Sequence, residues 1–117
     1  MKSILIVDDE PNLRILYEKE LLEEGYKVFT AESGEGALEK IQKNAVDLIV
    51  LDIKMKGIDG IQTLREILTK DRNIKVILNS AYSTYKSDFS TWSADAYIIK
   101  SSNLDELKNK IKELLGE

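Results

Sequence analysis

Five residues in this sequence could do chemistry together if the fold brings them to one place: Asp8, Asp9, Asp52, Ser80 and Lys100. The central one is Asp52. It closes the run Asp47-Leu48-Ile49-Val50-Leu51-Asp52, in which four apolar residues stand between two aspartates. A short apolar run with polar ends reads as a strand buried on both faces, with Asp52 at its carboxyl end. In open α/β sheets, ligands bind at that edge. Ile4-Leu5-Ile6-Val7 is a second such run and ends in Asp8-Asp9-Glu10. The stretch Lys75-Val76-Ile77-Leu78-Asn79-Ser80 ends in a hydroxyl, and Ala96-Tyr97-Ile98-Ile99-Lys100 ends in an ammonium.

Each group alone has an ordinary structural use. Acids cap helices, a lone aspartate turns a chain, and a lysine is usually solvated. Convergence separates the two readings, because each group ends a different strand. Clustered carboxylates repel one another unless a cation sits among them. Oxygen ligands that keep some water suit Mg²⁺ or Mn²⁺. Carboxylates with one lysine also suit phosphoryl chemistry: metal and ammonium neutralise phosphate oxygens, and a carboxylate serves as nucleophile.

The remaining residues must position these groups. Pro11 suits the first turn of a helix. Asp9 or Glu10 is expected to cap that helix, and Leu13, Leu16, Tyr17 and Leu21 are expected to face inward. Gly25 ends it. Lys27 to Ala31 alternates polar and apolar, so it reads as a less buried strand. Ser33 caps a second helix carrying Ala37, Leu38 and Ile41, which ends near Asn44. A third helix runs from about Gly60 to Lys70 with Ile61, Leu64, Ile67 and Leu68 inward. Asn103 caps the last helix, with Glu106 three residues on. Leu104, Leu107, Ile111, Leu114 and Leu115 line its inner face. Residues Tyr82 to Ala94 have low helix propensity, which suggests a short or mobile fourth helix. Strands alternating with helices give an α/β fold with a five-stranded parallel sheet covered on both faces.

The chain has 117 residues, 43% of them hydrophobic, which is enough for one cored domain over 1–117. A net charge of −4 argues against sequence-independent nucleic-acid binding. The absence of cysteine excludes disulfides, thiolate nucleophiles and zinc-cysteine sites. The absence of histidine excludes a Ser-His-Asp triad, histidine metal ligands and a phosphohistidine of the chain's own. No run approaches the ~20 apolar residues of a membrane span, and the first strand is too short for a signal core. The expectation is a cytoplasmic protein that does not engage membranes.

These motifs resemble the response-regulator receiver domains of two-component and phosphorelay signalling. The resemblance rests on Ile6-Val7-Asp8-Asp9-Glu10, on Leu51-Asp52 through Met55 to Asp59-Gly60, on Ser80-Ala81, and on Ala94-Asp95-Ala96-Tyr97 running to Lys100. It covers nearly the whole chain and is of the single-domain type found in chemotaxis and sporulation phosphorelays. It implies a flavodoxin-like, doubly wound sheet of order 2-1-3-4-5. It also implies that Asp52 accepts a phosphoryl group from the phosphohistidine of a sensor histidine kinase or histidine phosphotransfer protein. Asp9, Asp52 and the backbone carbonyl of Lys54 would hold the metal, with Asp8 acting through water. Lys100 would pair with the phosphate. The Ser80 hydroxyl and the Tyr97 ring would carry the switch to the face of the fourth helix, fifth strand and last helix, for an output partner not named by the sequence. Such a domain is a phosphoacceptor that can assist its own phosphorylation and dephosphorylation, not a turnover enzyme. By itself it binds no nucleic acid, and it is a monomer that can dimerise when phosphorylated. Lys54 and Tyr82 fall where the resemblance puts residues that tune the acyl-phosphate lifetime.

The sequence departs from that family's pattern at three places. Lys56 stands where proline is common. Ser101 replaces the proline that usually follows the lysine through a cis bond. A cis bond before a non-proline residue costs ~3 kcal/mol, so a trans bond and a shifted lysine are expected. The span from Ser80 to Lys100 is shorter than usual, and Ser93 replaces the usual glycine. These departures motivate an alternative, a degenerate receiver that binds partners without phosphorylation. A remoter alternative is an aspartate-nucleophile phosphatase of the haloacid-dehalogenase class, which needs a second acid where this chain has Lys54. A flavin-binding protein of similar topology is disfavoured, because Asp8-Asp9-Glu10 would repel its phosphate.

Overall fold

The computed structural model describes residues 1–53, 60–81, 93–101 and 103–116. In chain order the elements are β1 (Ser3–Val7), α1 (Pro11–Glu23), β2 (Lys27–Ala31), α2 (Gly34–Lys43), β3 (Leu48–Leu51), α3 (Gly60–Lys70), β4 (Lys75–Ser80), β5 (Ala96–Ile99) and α4 (Asp105–Leu115). The shortened helix expected before β5 falls on residues 82–92, outside the described residues.

All strand pairings are parallel, and the order is β2-β1-β3-β4-β5. Alternate residues of each strand point to opposite faces. Leu5, Val7, Leu51 and Leu78 pack with Ala37 of α2 and Leu64 and Ile67 of α3. Ile4, Ile6, Ile77 and Ile98 pack with Tyr17 and Leu21 of α1 and Leu107 and Ile111 of α4. The central strands are therefore buried on both sides, which is why they read as unbroken apolar runs. β2 lies at an edge and is only half-buried, as its alternation suggests.

The ends of the helices are set by local hydrogen bonds. The Ser33 hydroxyl accepts from the Gly36 amide at 3.0 Å and starts α2. Gly25, at φ 94°, closes α1 with its amide on the Leu22 carbonyl. Three expected details are corrected. Neither Asp9 nor Glu10 caps α1 through its side chain. The Asp8 carboxylate accepts from the Glu10 amide at 2.9 Å instead, because it can fold back over the next two residues as an Asx turn. Leu16 is 37% exposed rather than inward. Tyr17 and Leu21, four residues apart, already fill the strip of α1 that meets the sheet, and Ile15 and Leu22 point outward with Leu16. Asn103 accepts from the Asp105 amide at 2.9 Å, so it acts one residue ahead of the N-cap position, which Leu104 occupies.

The opposite edge of the sheet is tied by two aspartates. Asp47 Oδ2 accepts from the Ser3 amide, and Asp95 Oδ2 accepts from the Val76 amide, each at 2.8 Å. Both fasten strand entries and leave the carboxyl edge free for chemistry. No helix of the described residues is long and apolar enough to cross a membrane.

Ser93 takes φ 65°, a left-handed conformation in which its Cβ is strained. That conformation accounts for the glycine usually found there. Relieving it gains ~1–2 kcal/mol, and the freer unfolded chain takes back ~0.4–1. Ser93→Gly is therefore expected to raise stability by about 0.5 kcal/mol, a melting-temperature gain of about 2 °C by calorimetry. A fall would show that the serine side chain has a role that outweighs the strain.

Candidate functional site

The register of the sheet builds the site. Val7 pairs with Leu51, so the next residues, Asp8 and Asp52, stand side by side, and the Asp52 amide donates to the Val7 carbonyl at 3.0 Å. Ser80 pairs with Ile99, and the Lys100 amide donates to the Ser80 carbonyl at 2.7 Å. Four strands thus end at one edge with their functional residues in step.

The side chains meet there. Lys100 Nζ lies 2.8 Å from Asp8 Oδ2 and 3.2 Å from Asp52 Oδ2. The carboxylates are buried, with Asp8 2% and Asp52 5% exposed. Two buried negative charges are costly without a counter-charge, and the ammonium serves both. Burial by itself would push the Lys100 ammonium down. Its hydrogen bond to Asp8 and the charges of Asp52 and Asp8 outweigh burial and hold it above the ordinary lysine value. A raised lysine keeps its stabilising charge at every pH below the ordinary value and loses it only as pH rises through the folded one. The ammonium is therefore permanent at neutral pH.

Asp8, Asp9 and Asp52 each turn an oxygen to one spot, all within 4.8 Å of one another. An all-oxygen donor set of this charge fits a hard divalent cation such as Mg²⁺. Asp8 is anchored further, because Arg14 Nη1 donates to its backbone carbonyl at 2.7 Å. Gly60 opens α3 against the backbone of Asp52: its amide donates to the Ile53 carbonyl at 2.8 Å, and a Cβ there would run into the Asp52 carbonyl oxygen. Only glycine lets the start of α3 come so close to the strand end.

Of the residues expected from the sequence, Asp8, Asp9, Asp52 and Lys100 come together. Ser80 is fully buried at the same edge. Tyr97 is buried among the apolar residues of the α2–α3 face, paired in register with Leu78. The expected metal-binding carbonyl of Lys54, and Tyr82, lie outside the described residues. No cis peptide bond occurs among the described residues, so the Lys100–Ser101 bond is trans, and the ammonium still reaches both carboxylates. Two neighbours of the site were not anticipated. One is Arg14. The other is a buried hydrogen bond from Asn79 Nδ2 to the Tyr17 hydroxyl at 2.9 Å. The available signal was an amide inside an otherwise apolar strand.

Comparison with known proteins adds to this geometry. The model of the response regulator receiver domain family matches residues 4–112. Sporulation initiation phosphotransferase F of Bacillus subtilis (strain 168) is 35% identical over 116 residues, covering 97% of this chain and 94% of that protein. Other curated relatives are longer, and the chain spans 26% and 53% of two of them. The crystal structure of the response regulator protein TrrA from Thermotoga maritima, in complex with Mg²⁺-BeF, is 54% identical with a TM-score of 0.92 and covers 97% of this chain and 99% of its own. The complex of histidine kinase ThkA with TrrA gives 55% identity, a TM-score of 0.90, and coverage of 98% of this chain and 99% of that one. A family match over nearly the whole chain, on a parallel sheet whose carboxyl edge gathers three acids and a lysine, means that this chain belongs to the response regulator receiver domain family.

Proposed function

We propose that the chain is a phosphoacceptor switch that takes a phosphoryl group onto Asp52. One observation carries this reading: a buried carboxylate at a strand end shares one ammonium with a second buried carboxylate, beside a third acid. An oxygen of Asp52 attacks the phosphorus of a partner's phosphohistidine. The O–P bond forms as the P–N bond breaks, and the bonding pair stays on the imidazole nitrogen. Lys100 leaves the Asp52 carboxylate and pairs with a phosphate oxygen, so the charge that the ammonium balances moves outward with the phosphoryl group. Asp9 and Asp52, with Asp8 through water and the Lys54 carbonyl, would hold Mg²⁺ or Mn²⁺. The cation would neutralise charge on the transferring oxygens.

The Ser80 hydroxyl would turn to a phosphate oxygen, with Tyr97 filling space behind it. New charge and acceptor oxygens then bias the surface around β5 and α4, where an output partner binds. The donor is a histidine kinase or a histidine phosphotransfer protein. Support comes from the ThkA–TrrA complex of the similar protein and from α1, which begins two residues after Asp9 and leaves Ile15 and Leu22 exposed as an apolar seat.

Incubation with Mg²⁺ and a small phosphodonor is expected to add one phosphoryl mass to the wild type and none to Asp52→Asn. No gain with several donors, together with equal partner binding by wild type and Asp52→Ala, would instead mark a phosphorylation-independent interaction module.

The crowded acids give a second expectation. Removing Asp52 leaves Asp8 its ammonium at 2.8 Å and relieves like-charge repulsion. Asp52→Ala is expected to raise metal-free stability by about 1 kcal/mol. Mg²⁺ is expected to raise the melting temperature of the wild type more than that of the variant. A clear metal-free fall on thermal melting would refute the repulsion account.

A further inference from the structure

The hydrogen bond between Tyr17 and Asn79 lies in an apolar layer and serves no step described so far. Tyr17 is 1% and Asn79 2% exposed. Burying an amide and a phenol is costly unless they pair, so the pair is a specific choice where two apolar residues would pack as well.

Its place follows from the register. Val50 pairs with Ile77 and Leu51 with Leu78. The next residues on those strands are Asp52 and Asn79, so they stand abreast. Neighbouring strands lie ~4.8 Å apart, and side chains abreast on one face are in contact range. Asn79 shares its face with Ile77, the face covered by α1 and α4. Asn79 also pairs with Ile98, two residues before Lys100. It precedes Ser80, whose carbonyl holds the Lys100 amide. From the other side, Tyr17 lies on α1, the helix whose Arg14 holds the Asp8 carbonyl. The Tyr17 hydroxyl feels the charges of Lys100, Asp8 and Asp52. It is raised above its ordinary value, chiefly by burial, so it is a neutral phenol at physiological pH.

An Asn79 amide without its phenol partner would have carboxylates as its next acceptors. A buried amide N–H seeks a partner, and a charge-assisted bond is stronger than a neutral one. It would then compete with Lys100 for the acids. We propose that Tyr17 and Asn79 are positioning residues for the acceptor site: their hydrogen bond turns the Asn79 amide away from Asp52 and ties α1 to the end of β4, where Ser80 holds the Lys100 amide. The proposal rests on the phosphoacceptor reading of Asp52. The phenol acts as a decoy acceptor, keeping the Asn79 amide from competing with the ammonium, the metal and the incoming phosphorus for the carboxylates.

The test compares wild type, Tyr17→Phe, Asn79→Leu and the double variant in two assays. The first is the rate of phosphorylation by acetyl phosphate at saturating Mg²⁺. The second is Mg²⁺ affinity by calorimetry without any phosphodonor. Tyr17→Phe, which strands the amide, is expected to slow phosphorylation and weaken Mg²⁺ binding by about tenfold, the usual size of an effect from groups behind the ligands. The double variant, which removes the stray amide, is expected to recover most of both losses. A purely structural pair would leave the double variant at least as impaired as Tyr17→Phe, and that result overturns the proposal. Unchanged rates and affinities in a folded Tyr17→Phe overturn it as well. If the wild type takes up no phosphate at all, the acceptor reading fails, and the Mg²⁺ titration still decides whether the pair orders the carboxylates.

Discussion

The bridge from the Lys100 ammonium to Asp8 and Asp52 is the constraint on which the rest of the site depends. Two carboxylates are buried side by side because parallel register leaves them no alternative once Val7 faces Leu51. Without a cation between them, the edge of the sheet would have to open or take up a proton. Lys100 supplies the cation from the end of β5, two places from β3 and three from β1, and its reach is set by the amide it donates to Ser80. The same arrangement is a stabilising ion network and the site proposed above for phosphoryl acceptance. A phosphoryl group or a metal ion bound there would change the charge at the point where three strands are held together, so its arrival would be felt along each of them.

Much of this was legible in the sequence because the chemistry follows the strands. Each apolar run ends in a polar residue, and a parallel sheet brings such ends to one edge. Asp8, Asp52, Ser80 and Lys100 could therefore be picked out without knowing the topology. The strand order itself came from resemblance to a family, since hydrophobic runs of similar length carry no information on which neighbour they choose. The order found is the one expected.

What escaped was set by contacts between distant residues or by competition between adjacent ones. Three consecutive acids follow β1, and composition cannot say which of them closes the turn; Asp8 does so because its carboxylate reaches the Glu10 amide. The apolar residues of α1 are more numerous than its buried strip, so Leu16 reads as core although it lies outside. Tyr17 reads as packing and Asn79 as an isolated amide. Their partnership spans 62 residues and is visible only once α1 packs against the sheet. Ser93 looks like a neutral replacement of glycine until its φ shows the strain it carries.

The central claim is that Asp52, not its neighbours, is the phosphoacceptor. Borohydride reduction of the phosphorylated protein tests it most directly, because it converts an aspartyl phosphate to homoserine at the modified position, which peptide mass spectrometry then locates. The account predicts homoserine at position 52 and nowhere else. Homoserine at position 8 or 9, or a stable phosphate on Ser80, would contradict it.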